Sequence, residues 1–194
     1  MSKIEVKDLT FGYDGMAENV FEHMNFRLDT RWKTGIVGRN GIGKTTLLKL
    51  LCGEYEFSGS LEKEVEVCYF PYDVTDIENT VENIMLDTIG NYRFLEERME
   101  ACLQVSGEEN PEEYAEYLNE YIDKDGYNIR FRMEEQLRTL GVREEILASV
   151  FSCLSEGEKT KILLAALFLK PNAFLVIDEP TNHLDLEGRK RVTS

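Results

Sequence analysis

The sequence predicts an α/β domain with a parallel-strand core and a helical subdomain set into it. Three observations lead there. The short apolar segment Gly35-Ile36-Val37 feeds a glycine-rich turn and then a helical run over residues 45–51, in the order strand, loop, helix. Five consecutive apolar residues, Ala173-Phe174-Leu175-Val176-Ile177, stand ahead of Asp178, as suits a central parallel strand buried on both faces. Between these segments, from about residue 78 to 149, the apolar spacing changes to that of helices.

In chain order, Met24, Phe26 and Leu28 alternate with Asn25, Arg27 and Asp29. Val65, Val67 and Tyr69 alternate with Glu66 and Cys68 in the same way, and a period of two marks half-buried strands. Further on, Tyr114, Leu118, Tyr121 and Ile122 fall on one helical face, and Ile129, Met133, Leu137 and Leu140 on another. Asp125-Gly126 predicts a turn between those helices, and Ser106-Gly107 with Asn110-Pro111 a loop before them. A helix over 158–169 then leads into the strand at 173–177. The expected division is 1–77 for the first part of the core, 78–150 for the helical subdomain and 151–194 for the return to the core, left incomplete at its C-terminus.

With 194 residues, 42% of them hydrophobic, the chain can bury a core, so wholesale disorder is excluded. A net charge of −15 repels phosphate backbones at long range and argues against a general DNA-binding domain. Residues 96–125 hold eleven acidic side chains against Arg98 and Lys124, which reads as a solvated helical face rather than a docking surface for a basic partner. The N-terminus has no apolar leader segment, and the longest apolar run, 162–169, is far shorter than a bilayer requires. The expectation is a soluble, unexported, cytoplasmic protein. Cys52, Cys68, Cys102 and Cys153 stand far apart, which argues against zinc and against a disulfide framework and leaves buried thiols.

The chemistry concentrates in two places. Gly38-Arg39-Asn40-Gly41-Ile42-Gly43-Lys44-Thr45 matches G-x-x-x-x-G-K-[ST] between the expected strand and helix. Its glycines let backbone N–H groups turn inward on phosphate oxygens at a helix N-terminus whose partial charge favours the anion. Lys44 would reach the β- and γ-phosphates, and the Thr45 hydroxyl would ligate Mg²⁺. Such a site also needs an acid at the end of a neighbouring buried strand. Asp178 would hold the Mg²⁺ shell there, while Glu179 could polarise the attacking water. The pair indicates phosphoanhydride hydrolysis or a nucleotide switch.

A third motif narrows the class. Leu154-Ser155-Glu156-Gly157-Glu158 opens a helix, its serine 23 residues before Asp178, and resembles the signature motif of ATP-binding-cassette proteins. The run from Asp178 to Asp185, with Thr181-Asn182-His183-Leu184-Asp185 after Glu179-Pro180, is similar to the E-P-T-N-H-L-D stretch of the ABC-F branch. The resemblance implies a P-loop NTPase cassette with a parallel core, an antiparallel β part and a helical subdomain, binding ATP and Mg²⁺. It implies that Tyr13 stacks on adenine and that Asn40 and Thr46 join Gly38, Gly41, Gly43, Lys44 and Thr45 around the nucleotide. It further implies that Ser155 and Gly157 touch the γ-phosphate bound by a facing cassette, and that Asp185 is the acid of the loop linking the two sites. The partners it implies are a second cassette, in the same full-length chain or in a head-to-tail dimer, and the ribosome.

Three departures from the family pattern stand out. Tyr72 replaces a glutamine that commonly ligates Mg²⁺ and senses the γ-phosphate, Glu156 replaces a glycine of the signature, and the chain stops at Ser194, as the first part of a longer protein would. Residues 34–41 and Lys159-Thr160-Lys161 look most like the antibiotic-resistance group that protects ribosomes from lincosamides, streptogramin A and pleuromutilins. The expected activity is therefore an ATPase in the complete protein, negligible in this chain alone. The nucleotide-binding subunit of a membrane transporter and a non-hydrolysing ATP-binding module are the rival readings.

Overall fold

The computed structural model describes residues 3–16, 18–104 and 111–178. They form two compact units: the described residues up to 70 together with 172–178, and residues 71–171.

The first unit carries an antiparallel sheet of β1 (Lys3–Phe11), β2 (Phe21–Asp29) and β3 (Ser58–Lys63), in the order β2-β1-β3. The alternation expected around Met24, Phe26 and Leu28 holds, since these residues are half-buried while Asn25 and Arg27 face solvent. The β1–β2 register shifts between Val6 and Leu9, where Asp8 and, across from it, His23 adopt φ of 54° and 49°. Side chains replace the interrupted ladder there. Asp8 N–H donates to Asn25 Oδ1 at 2.9 Å, and His23 N–H donates to Thr10 Oγ1 at 3.0 Å.

Helix α1 (Lys44–Cys52) follows the glycine loop, and β4 (Glu66–Phe70) pairs in parallel with β5 (Ala173–Ile177). Ile4, Val6, Leu9 and Phe11 of β1 close the core against Leu50, Leu51, Val67 and Val176. In β4 the alternation fails, because Cys68 is buried along with Val67 and Phe70. Strand β5 is parallel, as expected; Val176 is buried and its other four residues are half-buried among the described residues. Gly35-Ile36-Val37 forms no strand. No ladder runs beside it among the described residues, and Ile36 and Val37 are 44% and 97% exposed. Extended backbone becomes a strand only by pairing.

In the second unit the chain enters and leaves along one seam. Ser152 N–H donates to Ile77 O at 2.8 Å, Phe151 N–H to Asn79 O at 3.0 Å and Val81 N–H to Ser149 O at 3.0 Å. Helix α2 (Val81–Ile89) starts at Thr80, whose hydroxyl accepts from Asn83 N–H. It is followed by α3 (Tyr92–Gln104), α4 (Pro111–Asp123), α5 (Ile129–Thr139) and α6 (Glu156–Leu169). Helix α6 packs on α2 and α5 and is buried almost throughout its second half. Ile129, Met133, Leu137 and Leu140 are buried as expected. On α4, Ile122, expected on the inner face, is 51% exposed, while Tyr117 is half-buried and meets the Phe94 ring edge-on at 6.2 Å beside the Arg98 guanidinium.

Arg130 of α5 ties three helices together. It donates to Glu82 of α2 at 2.6 Å and to both carboxylate oxygens of Glu96 of α3, which also accepts from Tyr121 of α4 at 2.7 Å. Arg130 chiefly holds Glu96 below the usual carboxylate range, and burial, aided by Glu96, pushes Tyr121 up to about 12. None of the four cysteines forms a disulfide; Cys68 is buried, but Cys153 is exposed.

The β1–β2 irregularity makes a pH-dependent contact. His23 Nδ1 lies 2.7 Å from Asp8 Oδ1, and that carboxylate raises the imidazole above its ordinary value of 6.5. A raised folded-state value means that the contact stabilises the fold fully below the ordinary histidine range and loses that contribution as pH rises through the folded value. An NMR titration of His23 should give a midpoint above 6.5, and Asp8→Asn should return it to the ordinary range. A midpoint that does not move in the variant would show that Asp8 is not the cause.

Candidate functional site

Residues 39–42 of the glycine loop are exposed, with Asn40 at its tip, and the loop ends at Gly43, the N-cap of α1. Gly41 and Gly43 have φ of 84° and 94°. A Cβ on Gly43 would also stand 2.7 Å from Val20 Cγ1 and 2.9 Å from Phe21 Cζ, so both conformation and space require glycine. Among the described residues no side chain caps α1, and no acid sits in its first turn, which leaves the N–H groups of that turn directed at the loop.

Lys44 folds back over the loop, its Nζ donating to Gly38 O at 2.9 Å and Arg39 O at 3.0 Å. The next residue reaches across the unit: Thr45 Oγ1 donates to Asp178 Oδ2 at 2.5 Å, joining residues 133 apart in sequence. The last contact comes from Thr46, a buried hydroxyl 2.8 Å from Tyr13 OH. Tyr13 stands edge-on to Phe11 and Tyr55, at 5.0 and 5.9 Å, and is 37% exposed. The loop residues, Tyr13 and Asp178 therefore form one continuous set in the first unit. Glu179 and Asp185, with His183 between them, lie outside the described residues.

Thr45 and Asp178 together fit a hard divalent cation. The threonine hydroxyl donates its hydrogen bond to the carboxylate, so its oxygen lone pairs stay available, and both residues offer the oxygen ligands that Mg²⁺ prefers. Asp178 is further held by Tyr69, a residue that no motif singles out. Its hydroxyl donates to the same Oδ2 at 3.0 Å, and burial together with this carboxylate keeps the phenol protonated.

In the second unit, Ser155 is the N-cap of α6. Its hydroxyl accepts from Glu158 N–H at 3.3 Å and donates to Glu158 Oε2 at 2.6 Å, while that carboxylate also accepts from Ser155 N–H at 3.0 Å. This is a capping box, and the spacing Ser155-x-x-Glu158 announces it in the sequence. The hydrogen bonds from Ser155 hold the Glu158 carboxyl below its usual range. Gly157 lies in the first turn of the same helix. Glu156, the departure from the signature, points to solvent with its side chain 80% exposed and paired to Lys159 at 2.9 Å. Tyr72 donates its hydroxyl to Thr88 Oγ1 at 3.2 Å.

A family model described as ABC transporter matches residues 21–182. The chain is 33% identical over 196 residues to the uncharacterized ABC transporter ATP-binding protein YfmM of Bacillus subtilis, covering 95% of this chain and 38% of YfmM. It is 27% identical to the ribosome protection protein VmlR of the same bacterium, over 97% of this chain and 28% of VmlR. With ABC transporter F family member 2 of Arabidopsis thaliana the identity is 28%, over 97% of this chain and 23% of that protein. The chain thus spans well under half the length of these relatives. A solved ATP-binding subunit of an ABC transporter superposes with a TM-score of 0.60 at 23% identity, over 97% of this chain and 71% of that one, a likeness of fold. Among the described residues no helix is long and apolar enough to cross a membrane.

The capping geometry yields a direct test. Ser155→Ala should lower stability by about 1 kcal/mol in denaturant unfolding, and Ser155→Asp should restore most of the loss because a carboxylate also caps. Unchanged unfolding of the alanine variant would remove the capping role.

Proposed function

The chain belongs to the ABC transporter family of ATP-binding cassettes, and on that premise we propose that it is the first cassette of an ABC-F protein, binding Mg²⁺-ATP and, in the complete protein, hydrolysing it to govern residence on the ribosome. The single observation behind the nucleotide part is the bond from Thr45 to Asp178, which brings the acid to the uncapped start of α1. In this reading Lys44 exchanges the carbonyls of Gly38 and Arg39 for phosphate oxygens, a stronger acceptor for an ammonium because it carries charge. Gly38, Asn40, Gly41, Gly43 and Thr46 line the phosphates, and Tyr13, fixed to Thr46, takes the adenine face. Mg²⁺, when bound, neutralises charge on the phosphoryl oxygens, and Thr45 with Asp178 are the residues that would hold it. Glu179 polarises the attacking water. Ser155 and Gly157 serve the nucleotide of a facing cassette, and Asp185 links the two sites.

The branch and the ribosome rest on the run from Glu179 to Asp185 and on the likeness to VmlR and to ABC transporter F family member 2. A cytoplasmic location goes with that role. The second reading, a transporter's nucleotide-binding subunit, is favoured by the description of YfmM as a transporter ATP-binding protein, and it expects no attachment to ribosomes.

Lys44→Ala should weaken Mg²⁺-ATP binding by roughly ten- to a hundredfold, since a hydrogen bond to a charged group contributes about 1.5 to 3 kcal/mol. Coincident titration curves for variant and parent would remove the nucleotide assignment. In the complete protein, Glu179→Gln should lower turnover by about 10² to 10⁴ and trap the protein on ribosomes when ATP is present. Co-sedimentation separates the two readings: a variant that pellets no better than the parent favours the transporter, and one that turns over ATP at the parent's rate shows that Glu179 is not the base.

A further inference from the structure

We propose that Tyr69 is the positioning residue for Asp178 and that its hydroxyl sets the affinity of the site for Mg²⁺; the proposal rests on the nucleotide reading above. Asp178 follows β5 directly, and its backbone N–H donates to Phe70 O at 2.9 Å, so the end of β4 already fixes where its carboxylate begins. Tyr69, the neighbouring residue of β4, then donates its hydroxyl to Asp178 Oδ2 at 3.0 Å. One strand therefore holds the acid at two points, the backbone and the side chain, and both remaining torsions of a short carboxylate are restrained.

The division of labour with Thr45 follows from chemistry. Thr45 also donates to Oδ2, but its oxygen is the one that must turn toward a cation, so its orientation serves two partners at once. Tyr69 lies on β4 rather than in the glycine loop, and its hydroxyl is committed to the carboxylate. Both bonds fall on Oδ2, so together they set the orientation of the carboxylate. The ring itself is seated independently of its hydroxyl. It is half-buried on β4, and Lys49 of α1 places its ammonium 5.7 Å from the ring centroid. Removing the hydroxyl should therefore loosen the carboxylate without dislodging the ring. An outer hydrogen bond of this kind commonly changes metal affinity by about tenfold or more.

Tyr69→Phe separates the hydroxyl from the ring. A fluorescent ATP analogue is titrated onto the purified 194-residue chain and its Tyr69→Phe variant, in EDTA and across a range of Mg²⁺ concentrations, and both proteins are melted in EDTA. The expected result is an about tenfold rise in the Mg²⁺ concentration for half-maximal enhancement of binding, with nucleotide affinity in EDTA and the melting temperature close to the parent's. Equal Mg²⁺ dependence in the two proteins overturns the proposal. So does a parallel loss of binding with and without Mg²⁺ accompanied by a lower melting temperature, because that pattern marks Tyr69 as packing alone. A parent chain with no Mg²⁺-dependent nucleotide binding overturns the nucleotide reading first, and the role of Tyr69 with it.

Discussion

The hydrogen bond between Thr45 and Asp178 is the contact on which the arrangement of the candidate site depends, and the parallel pairing of β4 with β5 makes it possible. That pairing runs in register from Glu66 opposite Ala173 to Phe70 opposite Ile177, and Asp178 N–H extends it by one more bond to Phe70 O. The ladder ends where the acid begins, so backbone hydrogen bonding carries the carboxylate to the start of α1. A slip of one residue would turn Val176 out of the core and send Asp178 to the other face of the strand. Apolar burial of Val67, Phe70 and Val176 opposes that slip, and in this way packing far from the loop fixes the geometry of a polar contact.

Hydroxyl groups do much of the local work. Thr45, Thr46, Tyr13 and Tyr69 are each hydrogen-bonded in pairs or to Asp178, and the ammonium of Lys44 is held by backbone carbonyls. The carbonyls of Gly38 and Arg39 that hold Lys44 are neutral and belong to an exposed loop, whereas the Tyr13–Thr46 and Tyr69–Asp178 bonds fix the side chains around it. The second unit is organised differently. There Arg130, Glu82, Glu96 and Tyr121 join helices through charge-assisted bonds, while α6 is held by apolar burial and begins in a self-contained capping box. Ser155 accordingly has a structural duty beside any contact with a facing nucleotide.

Much of the candidate site's local geometry is legible in the sequence. The glycine loop is written in local terms, because positive φ at Gly41 and Gly43 and the helix that follows are properties of neighbouring residues. The aspartate after an apolar pentad is equally local. Tyr69 was not legible: its spacing marks it as a strand residue facing one side, and only the parallel partner reveals that this side holds Asp178. Ile122 and Tyr117 show the same limit on a helix. The apolar spacing places Ile122 inward, yet it is exposed, and Tyr117 is the residue that meets Phe94 and Arg98 of α3.

What the sequence by itself determined was therefore the set of short-range devices: the loop, the turn at Asp125-Gly126, the start of a helix after Leu154 and the periodicity of the helices. Each depends on torsions and hydrogen bonds within a few residues. Tertiary structure alone decided which apolar segments became strands. Gly35-Ile36-Val37 and Ala173 to Ile177 are alike in composition, yet one lies exposed and unpaired among the described residues while the other is laddered to β4. The physical reason is that a strand's backbone groups are satisfied only by a neighbour, and which neighbour comes alongside depends on residues far away in the chain.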